Sequence, residues 1–89
     1  MFEEADDLLF NQANSEAALP LYHRILEQEP QNTQALNSVA SCLKHKATLR
    51  GLSVQDLPTI SAAYQRVLAV DSTDIEANFN LGLLYLQLQ

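Results

Sequence analysis

The sequence predicts an all-α fold in which five helices form antiparallel hairpins. Its 89 residues include two glycines and three prolines, which leaves little room for strands and tight turns. Hydrophobic residues make up 47% of the chain, many of them leucine and alanine, as is typical of helical proteins. In each predicted helix, apolar residues recur at every third or fourth position. A chain of this length is expected to form a single domain, residues 1–89, with a small core.

The first two helices are predicted over residues 2–13 and 16–28. Carboxylates fill the first two turns of the first helix, where they complement the positive end of the helix dipole. Ser15 is predicted to be the N-cap of the second helix. Pro30 ends that helix, because proline cannot donate the next hydrogen bond. Pro20 lies early in the helix, so we expect it to cause a slight kink rather than a break.

The third helix is predicted over residues 34–46. It ends in Lys44, His45 and Lys46, where positive side chains favour the C-terminal carbonyls. Residues 48–52 are predicted to form a loop, in which Gly51 adopts a positive φ angle.

The fourth and fifth helices are predicted over residues 54–70 and 75–89. Ser53 and Asp56 have the spacing of a capping box, which marks the start of the fourth helix. A polar turn then leads into the fifth helix, which is apolar almost all round.

The chain contains an internal repeat. Tyr22 and Tyr64 each precede an alanine by 13 residues, Ala35 and Ala77 respectively. The two alanines lie 42 residues apart, about eight more than a common helical-repeat period of about 34. Half of the extra residues lengthen the fourth helix by about one turn, and the other half are predicted to lie in the loop before it.

Two motifs resemble the tetratricopeptide repeat family. The last helix contains Asn78-x2-Leu81-Gly82-x2-Tyr85, and the second contains Ala18-x3-Tyr22 followed by Pro30. The first helix matches poorly, since Asp6 stands where a small residue is usual. The resemblance implies two units, residues 1–32 and 33–74, and a final first helix or capping helix, residues 75–89. It also implies that these units stack as a right-handed superhelix.

The resemblance further implies a concave groove, lined by the first helices of successive units, that takes peptides or partner helices. The positions that correspond to it are Asn37, Ser38, Ser41, Lys44 and His45 of the third helix, Glu76, Phe79, Asn80, Leu83 and Leu86 of the fifth, and Glu3, Asp7 and Phe10 of the first. One specialisation of the family clamps a C-terminal carboxylate with Lys and Asn. This chain has Glu3 and Asp7 at those positions, so we do not expect that activity.

The fifth helix is predicted to need a cover. Leu84 and Leu88 lie opposite Phe79 and Leu86 on a helical wheel, and only a narrow polar wedge separates the two sides. A terminal helix usually has a broad polar outer face. We therefore expect Leu84 and Leu88 to form an exposed interface, covered by the rest of a longer array or by another chain, including a second copy.

Charge and composition exclude several classes of function. The net charge of −6 argues against binding to DNA or RNA, including binding as an RNA-recognising helical repeat. No apolar run approaches the ~18 residues of a membrane span, and the acidic N-terminus differs from a secretory signal, so we expect a cytoplasmic protein. One cysteine and two histidines form neither a disulfide nor a metal site, and no cofactor motif is present.

Two local features have alternative interpretations. Cys42 lies on or beside an apolar stripe, where a free cysteine packs as a small hydrophobe rather than reacting. Three of the five Lys and Arg residues fall within residues 44–50, beside His45. This cluster either caps the helix and aids solubility or forms a basic spot for an acidic partner segment.

The sequence therefore predicts a protein-interaction module without enzymatic activity, which binds a peptide or a partner helix. The alternative is a regulatory or chaperone-type subunit that self-associates, or that a partner completes through the last helix.

Overall fold

The computed structural model describes residues 2–11 and 14–88, with the side chains of Phe2, Phe10 and Asn11 outside the description. This part of the chain is all-α and contains five α-helices and no strand, which confirms the predicted class. The helices are α1 (Phe2–Asp6), α2 (Ser15–Gln28), α3 (Thr33–Arg50), α4 (Leu57–Val70) and α5 (Ile75–Gln87). A π-helical turn (Asp7–Asn11) extends α1, and a 3-10 turn (Val54–Asp56) precedes α4. The predicted ends of the first and fifth helices, at Gln12, Ala13 and Gln89, lie outside the described residues.

Three helices begin at a side chain that accepts a hydrogen bond from the backbone N–H three residues later. Asn14 caps α2 at 3.1 Å, Asn32 caps α3 at 3.0 Å and Asp74 caps α5 at 2.9 Å. These bonds satisfy N–H groups that have no partner within the helix. The prediction that Ser15 caps α2 is wrong, because Asn14 takes that position. Ser15 is instead buried in the first turn, where its Oγ lies 3.0 Å from Nδ1 of His45.

The third helix is longer than predicted. It continues through the predicted loop to Arg50, so Lys44, His45 and Lys46 lie inside the helix rather than at its end. Ala47 is buried and holds the added turn against the core. Gly51 ends the helix with a φ of 107°, as predicted. Residues 48–50, which were predicted to lie in a loop, therefore belong to α3.

Between α3 and α4 the predicted capping box is present. Asp56 accepts a hydrogen bond from the backbone N–H of Ser53 at 3.0 Å. The segment that follows Ser53 is a 3-10 turn, and the α-helix itself begins at Leu57. Pro58 lies in its first turn, where a missing N–H costs little.

The core consists of two clusters that share α3. One cluster joins α1 and α2 to one side of α3, including Ala35, Val39 and Cys42; the other joins α4 and α5 to its other side, including Leu36, Ala40 and Ala47. Each cluster contains one fully buried tyrosine, Tyr22 in the first and Tyr64 in the second. The helix α3 is therefore covered on two sides, and residues 35–40 are buried without interruption.

The helix α5 packs on the second cluster through Ala77, Leu81, Leu84 and Leu88. The prediction that Leu84 is exposed is wrong, since its side chain is 0% exposed. Leu88 is half-buried in the same cluster. This row faces the core, so the apolar side without a cover is the other one.

Candidate functional site

Each of the two repeated tyrosines brings its hydroxyl to polar groups of the neighbouring helices. The Tyr22 hydroxyl donates a hydrogen bond to the Asp6 carboxylate of α1 and accepts one from Ser38 of α3. Burial and the bond to Asp6 raise the pKa of Tyr22. Ser38 was predicted to line the groove, but it is buried and its hydroxyl is engaged with Tyr22.

The corresponding site at Tyr64 is open. A pocket of about 230 Å³ lies between α3 and α5. It is lined by Ser41, Lys44, His45, Thr48, Tyr64 and Asn80. Four of these residues, Ser41, Lys44, His45 and Asn80, are among the predicted groove positions. The structure thus brings predicted positions of α3 and α5 together around one pocket.

Tyr64 lies at the buried side of the pocket, whose exposed surface is mostly apolar. Burial raises the pKa of Tyr64, while a hydrogen bond from the Ser41 hydroxyl opposes this effect. The carboxylate of Glu76 acts in the same direction as burial, because a nearby negative charge disfavours the phenolate. The Tyr64 hydroxyl therefore stays neutral at physiological pH.

Asn37, another predicted groove residue, belongs to the core instead. It is 3% exposed, and its Nδ2 donates a hydrogen bond to Oδ1 of Asp74 at 3.2 Å. Its Oδ1 has no hydrogen-bond partner among the described residues. The predicted ligand-facing role of Asn37 is therefore wrong, because this side chain ties α3 to the turn before α5.

The remaining predicted positions of α5 lie on its outer side. Phe79 is 67% exposed and Leu86 is 68% exposed, whereas Leu83 is half-buried. Ile75, which the sequence analysis did not select, is 85% exposed and lies one turn before Phe79. Ile75 and Phe79 are four residues apart, and this spacing could have indicated that the two side chains share one face of the helix. The pocket and this apolar face are adjacent around the helix, since Leu83 lies between Asn80 and Phe79 at about 100° per residue.

The basic cluster is divided between two sides of α3. Lys44 and His45 line the pocket beside Tyr64, whereas Lys46 and Arg50 line a larger open cleft of about 750 Å³ near the start of α2. Arg50 pairs with Asp56 at 2.8 Å and is largely exposed. The four residues therefore do not form one basic spot.

Thr48 and Tyr64 were missed as pocket residues. Thr48 was assigned to a loop, but it lies in the added turn of α3 and its hydroxyl donates to the carbonyl of Lys44 at 2.8 Å. The match between Tyr64 and Tyr22 indicated the position of this tyrosine, although not the direction of its hydroxyl.

Of the predicted groove positions in the first helix, Glu3 and Asp7 are exposed, and the side chain of Phe10 is outside the described residues.

The chemistry of the other candidate groups is limited. Cys42 is fully buried, and burial raises the pKa of its thiol to about 11, so it packs as predicted. Within residues 2–11 and 14–88, no group of three or more His, Cys, Asp or Glu side chains could hold a metal ion. None of the helices described is long and apolar enough to cross a membrane.

The fold and the pocket define an all-helical protein with a small pocket between α3, α4 and α5. Comparison with known protein families, curated proteins and solved structures gave no match.

Proposed function

We propose that this chain is a protein-interaction module without enzymatic activity, built from tetratricopeptide-like units stacked as a right-handed superhelix. It binds a peptide or a partner helix in the groove between α3 and α5. The observation that carries this proposal is the pocket formed by Ser41, Lys44 and His45 of α3 together with Asn80 of α5. A cytoplasmic location is part of the proposal.

The small size of the pocket and the side chains of Lys44 and Asn80 in its lining favour a side chain of a longer ligand. Its volume of about 230 Å³ lies below the range of about 300–1,000 Å³ that is usual for small-molecule sites. Lys44 supplies a positive charge and Asn80 an amide, so an acidic or amide side chain of a peptide fits the available donors. The rest of the peptide would continue along the open groove.

The polar groups of the pocket favour binding over proton transfer. The Ser41 hydroxyl is engaged with Tyr64, and His45 is 3.0 Å from Ser15 through Nδ1. His45 and Ser15 have the spacing of a base and a nucleophile, but Ser15 is 2% exposed, so a substrate has no access to its hydroxyl.

A peptide selection tests the groove. Phage-displayed random peptides selected on the immobilised protein should be enriched in Asp or Glu, and should shift the amide NMR signals of residues 41–48 and of Asn80. The substitution Lys44→Glu should weaken binding about tenfold or more, because it reverses the charge that meets the ligand. Lys46→Glu is the matched control, since Lys46 lies on the same helix and lines the other cleft. Equal effects of the two substitutions, or shifts confined to other helices, would refute the groove.

A second candidate function is supported by the exposed side of α5. Ile75, Phe79 and Leu86 are large apolar side chains that are mostly exposed along one helix. Such a face favours a subunit that self-associates or that a partner completes, as the alternative from the sequence states. Sedimentation of the chain alone, over a range of concentrations, distinguishes self-association from a requirement for another protein.

A further inference from the structure

The outer face of α5 has a counterpart in α3 that is covered. Residues 33–45 of α3 correspond to residues 75–87 of α5, which lie 42 positions later in the sequence. In α3, the row Leu36, Ala40 and Leu43 packs in the cluster to which α4 contributes. The corresponding row in α5 is Asn78, Gly82 and Tyr85, which is exposed. None of the described residues covers α5 on the side where α4 covers α3.

No contact among the described residues explains why position 82 is a glycine. Glycine inside a helix costs about 0.5–1 kcal/mol relative to alanine. A Cβ atom built on Gly82 meets nothing within 4 Å, so no neighbour among residues 2–11 and 14–88 requires its absence. The counterpart Ala40 is fully buried, which shows that a small residue at this position suits close helix packing. A glycine here permits the backbone of another helix to approach closely.

Apolar side chains surround Gly82 along the helix. Ile75, Phe79, Gly82 and Leu86 are separated by four, three and four residues, which places them in one row. The three large side chains in this row are mostly exposed, and contact with a partner helix would bury them. Together with Tyr85, they make a stripe wide enough for one partner helix.

The negative charge at the N-terminal end of this stripe indicates the direction in which a partner helix would run. Asp71, Asp74 and Glu76 lie at the start of α5, and no Lys or Arg occurs between Asp71 and Leu88. Partial burial and the neighbouring Asp74 raise the pKa of Glu76, as expected where carboxylates are crowded. Positive side chains are favoured in the last turn of a helix. A partner helix that ends beside the start of α5 would satisfy both preferences.

We infer that the exposed face of α5 docks one amphipathic helix of a partner protein, which runs antiparallel to α5. This helix has a small residue opposite Gly82 and Lys or Arg in its last turn beside Asp71, Asp74 and Glu76. The inference rests on the second candidate function and specifies the partner that completes the protein. The pocket at Tyr64 plays no part in it.

The probe for this surface is a labelled peptide with the sequence of α4, residues 54–70, because α4 covers the corresponding row of α3. A hydrocarbon cross-link on its polar side keeps the peptide helical. One version ends in two added lysines and a matched version ends in two added glutamates. Fluorescence anisotropy measures the affinity of each, and amide NMR shifts locate the bound peptide.

The lysine version should bind more tightly than the glutamate version, and salt should reduce the difference. Binding should shift the signals of residues 75–86. Gly82→Leu should weaken binding about tenfold or more, because the added side chain blocks the approach of the peptide backbone. The fold tolerates this change, since the position opens to solvent. Ala62→Leu, on the exposed side of α4, is the matched control and should leave affinity unchanged.

Three results would overturn the inference. Gly82→Leu could bind as well as the unchanged protein, or both peptide versions could bind equally at low salt. The protein could also form a dimer that Gly82→Leu abolishes, in which case a second copy is the occupant. The groove is tested separately with Lys44→Glu, which should not alter binding of the α4 peptide, so failure of either proposal leaves the other intact.

Discussion

The helices α3 and α5 hold equivalent positions in the repeat, but they differ in how many neighbours cover them. At one pair of positions they agree, since Cys42 of α3 and Leu84 of α5 are both fully buried. At another pair they differ, since Ala40 is buried and Gly82 is exposed. The preceding helix covers the first pair of positions in both cases, whereas in the described part of the chain a following helix covers α3 but not α5. The same sequence pattern thus produces a core position or an exposed one according to its neighbours.

The largest expected effect compares two leucines of α5. Leu84→Ala should destabilise the protein by about 2–5 kcal/mol, because it removes a fully buried side chain and leaves a cavity. Leu86→Ala should change stability by less than about 0.5 kcal/mol, because Leu86 is 68% exposed. Urea unfolding followed by circular dichroism measures both. Similar effects of the two substitutions would mean that α5 is rotated or covered differently.

The next effect concerns Cys42, the counterpart of Leu84, at alkaline pH. Burial raises the pKa of its thiol from 9.0 to about 11, so the unfolded chain loses this proton at a lower pH than the folded chain. Stability should therefore fall as pH rises from 9.0 to about 11, by at most about 3 kcal/mol from this thiol.

Cys42→Ala is the control for this pH effect. Burial also raises the pKa values of Tyr22 and Tyr64, so both proteins should lose stability at alkaline pH. The slope of unfolding free energy against pH should be smaller in Cys42→Ala. Parallel slopes in the two proteins would show that the thiol does not contribute.

A third comparison uses the helix caps of α3 and α5. Asn32→Ala should cost about 1 kcal/mol, the usual value of a lost cap. Asp74→Ala should cost about 1–2 kcal/mol more, because Asp74 also accepts the hydrogen bond of the buried Asn37. Asp74→Asn retains a carbonyl acceptor and should recover most of the loss. Thermal unfolding of the three variants measures the difference, and equal costs for the two alanine variants would exclude a role for Asn37 as a tie between helices.

Much of the fold could be predicted because local patterns determine it. The spacing of apolar residues identified five helices, and the match of Tyr22 with Tyr64 identified two residues that are each buried in one half of the core. The end of α3 was misplaced, since the signal that stops a helix is Gly51, whereas the cations at Lys44 and Lys46 are compatible with its continuation. Helix length here depends on Ala47 finding a place in the core, which is a tertiary effect.

The candidate site was harder to predict than the fold. Ser41, Lys44, His45 and Asn80 line one pocket, as their related positions in the repeat led us to expect, while a ligand-binding groove stays a prediction. Asn37 and Ser38 do not line it, because polar side chains that look available in a sequence are used by Asp74 and Tyr22 in the structure. The wheel of α5 showed two apolar sides, and only the packing on α4 decides which one is buried.

The smallest expected effect separates Gly82 from its counterpart Ala40. Gly82→Ala should stabilise the isolated protein by about 0.5–1 kcal/mol, because alanine is the better helix former and the added Cβ meets nothing within 4 Å. Ala40→Gly should have the opposite sign and a larger size, because it adds a small cavity to the same helix cost. Urea unfolding of both variants gives the two values. A loss of stability in Gly82→Ala would mean that the chain itself already needs the glycine, and the difference between α3 and α5 would then not lie in a missing neighbour.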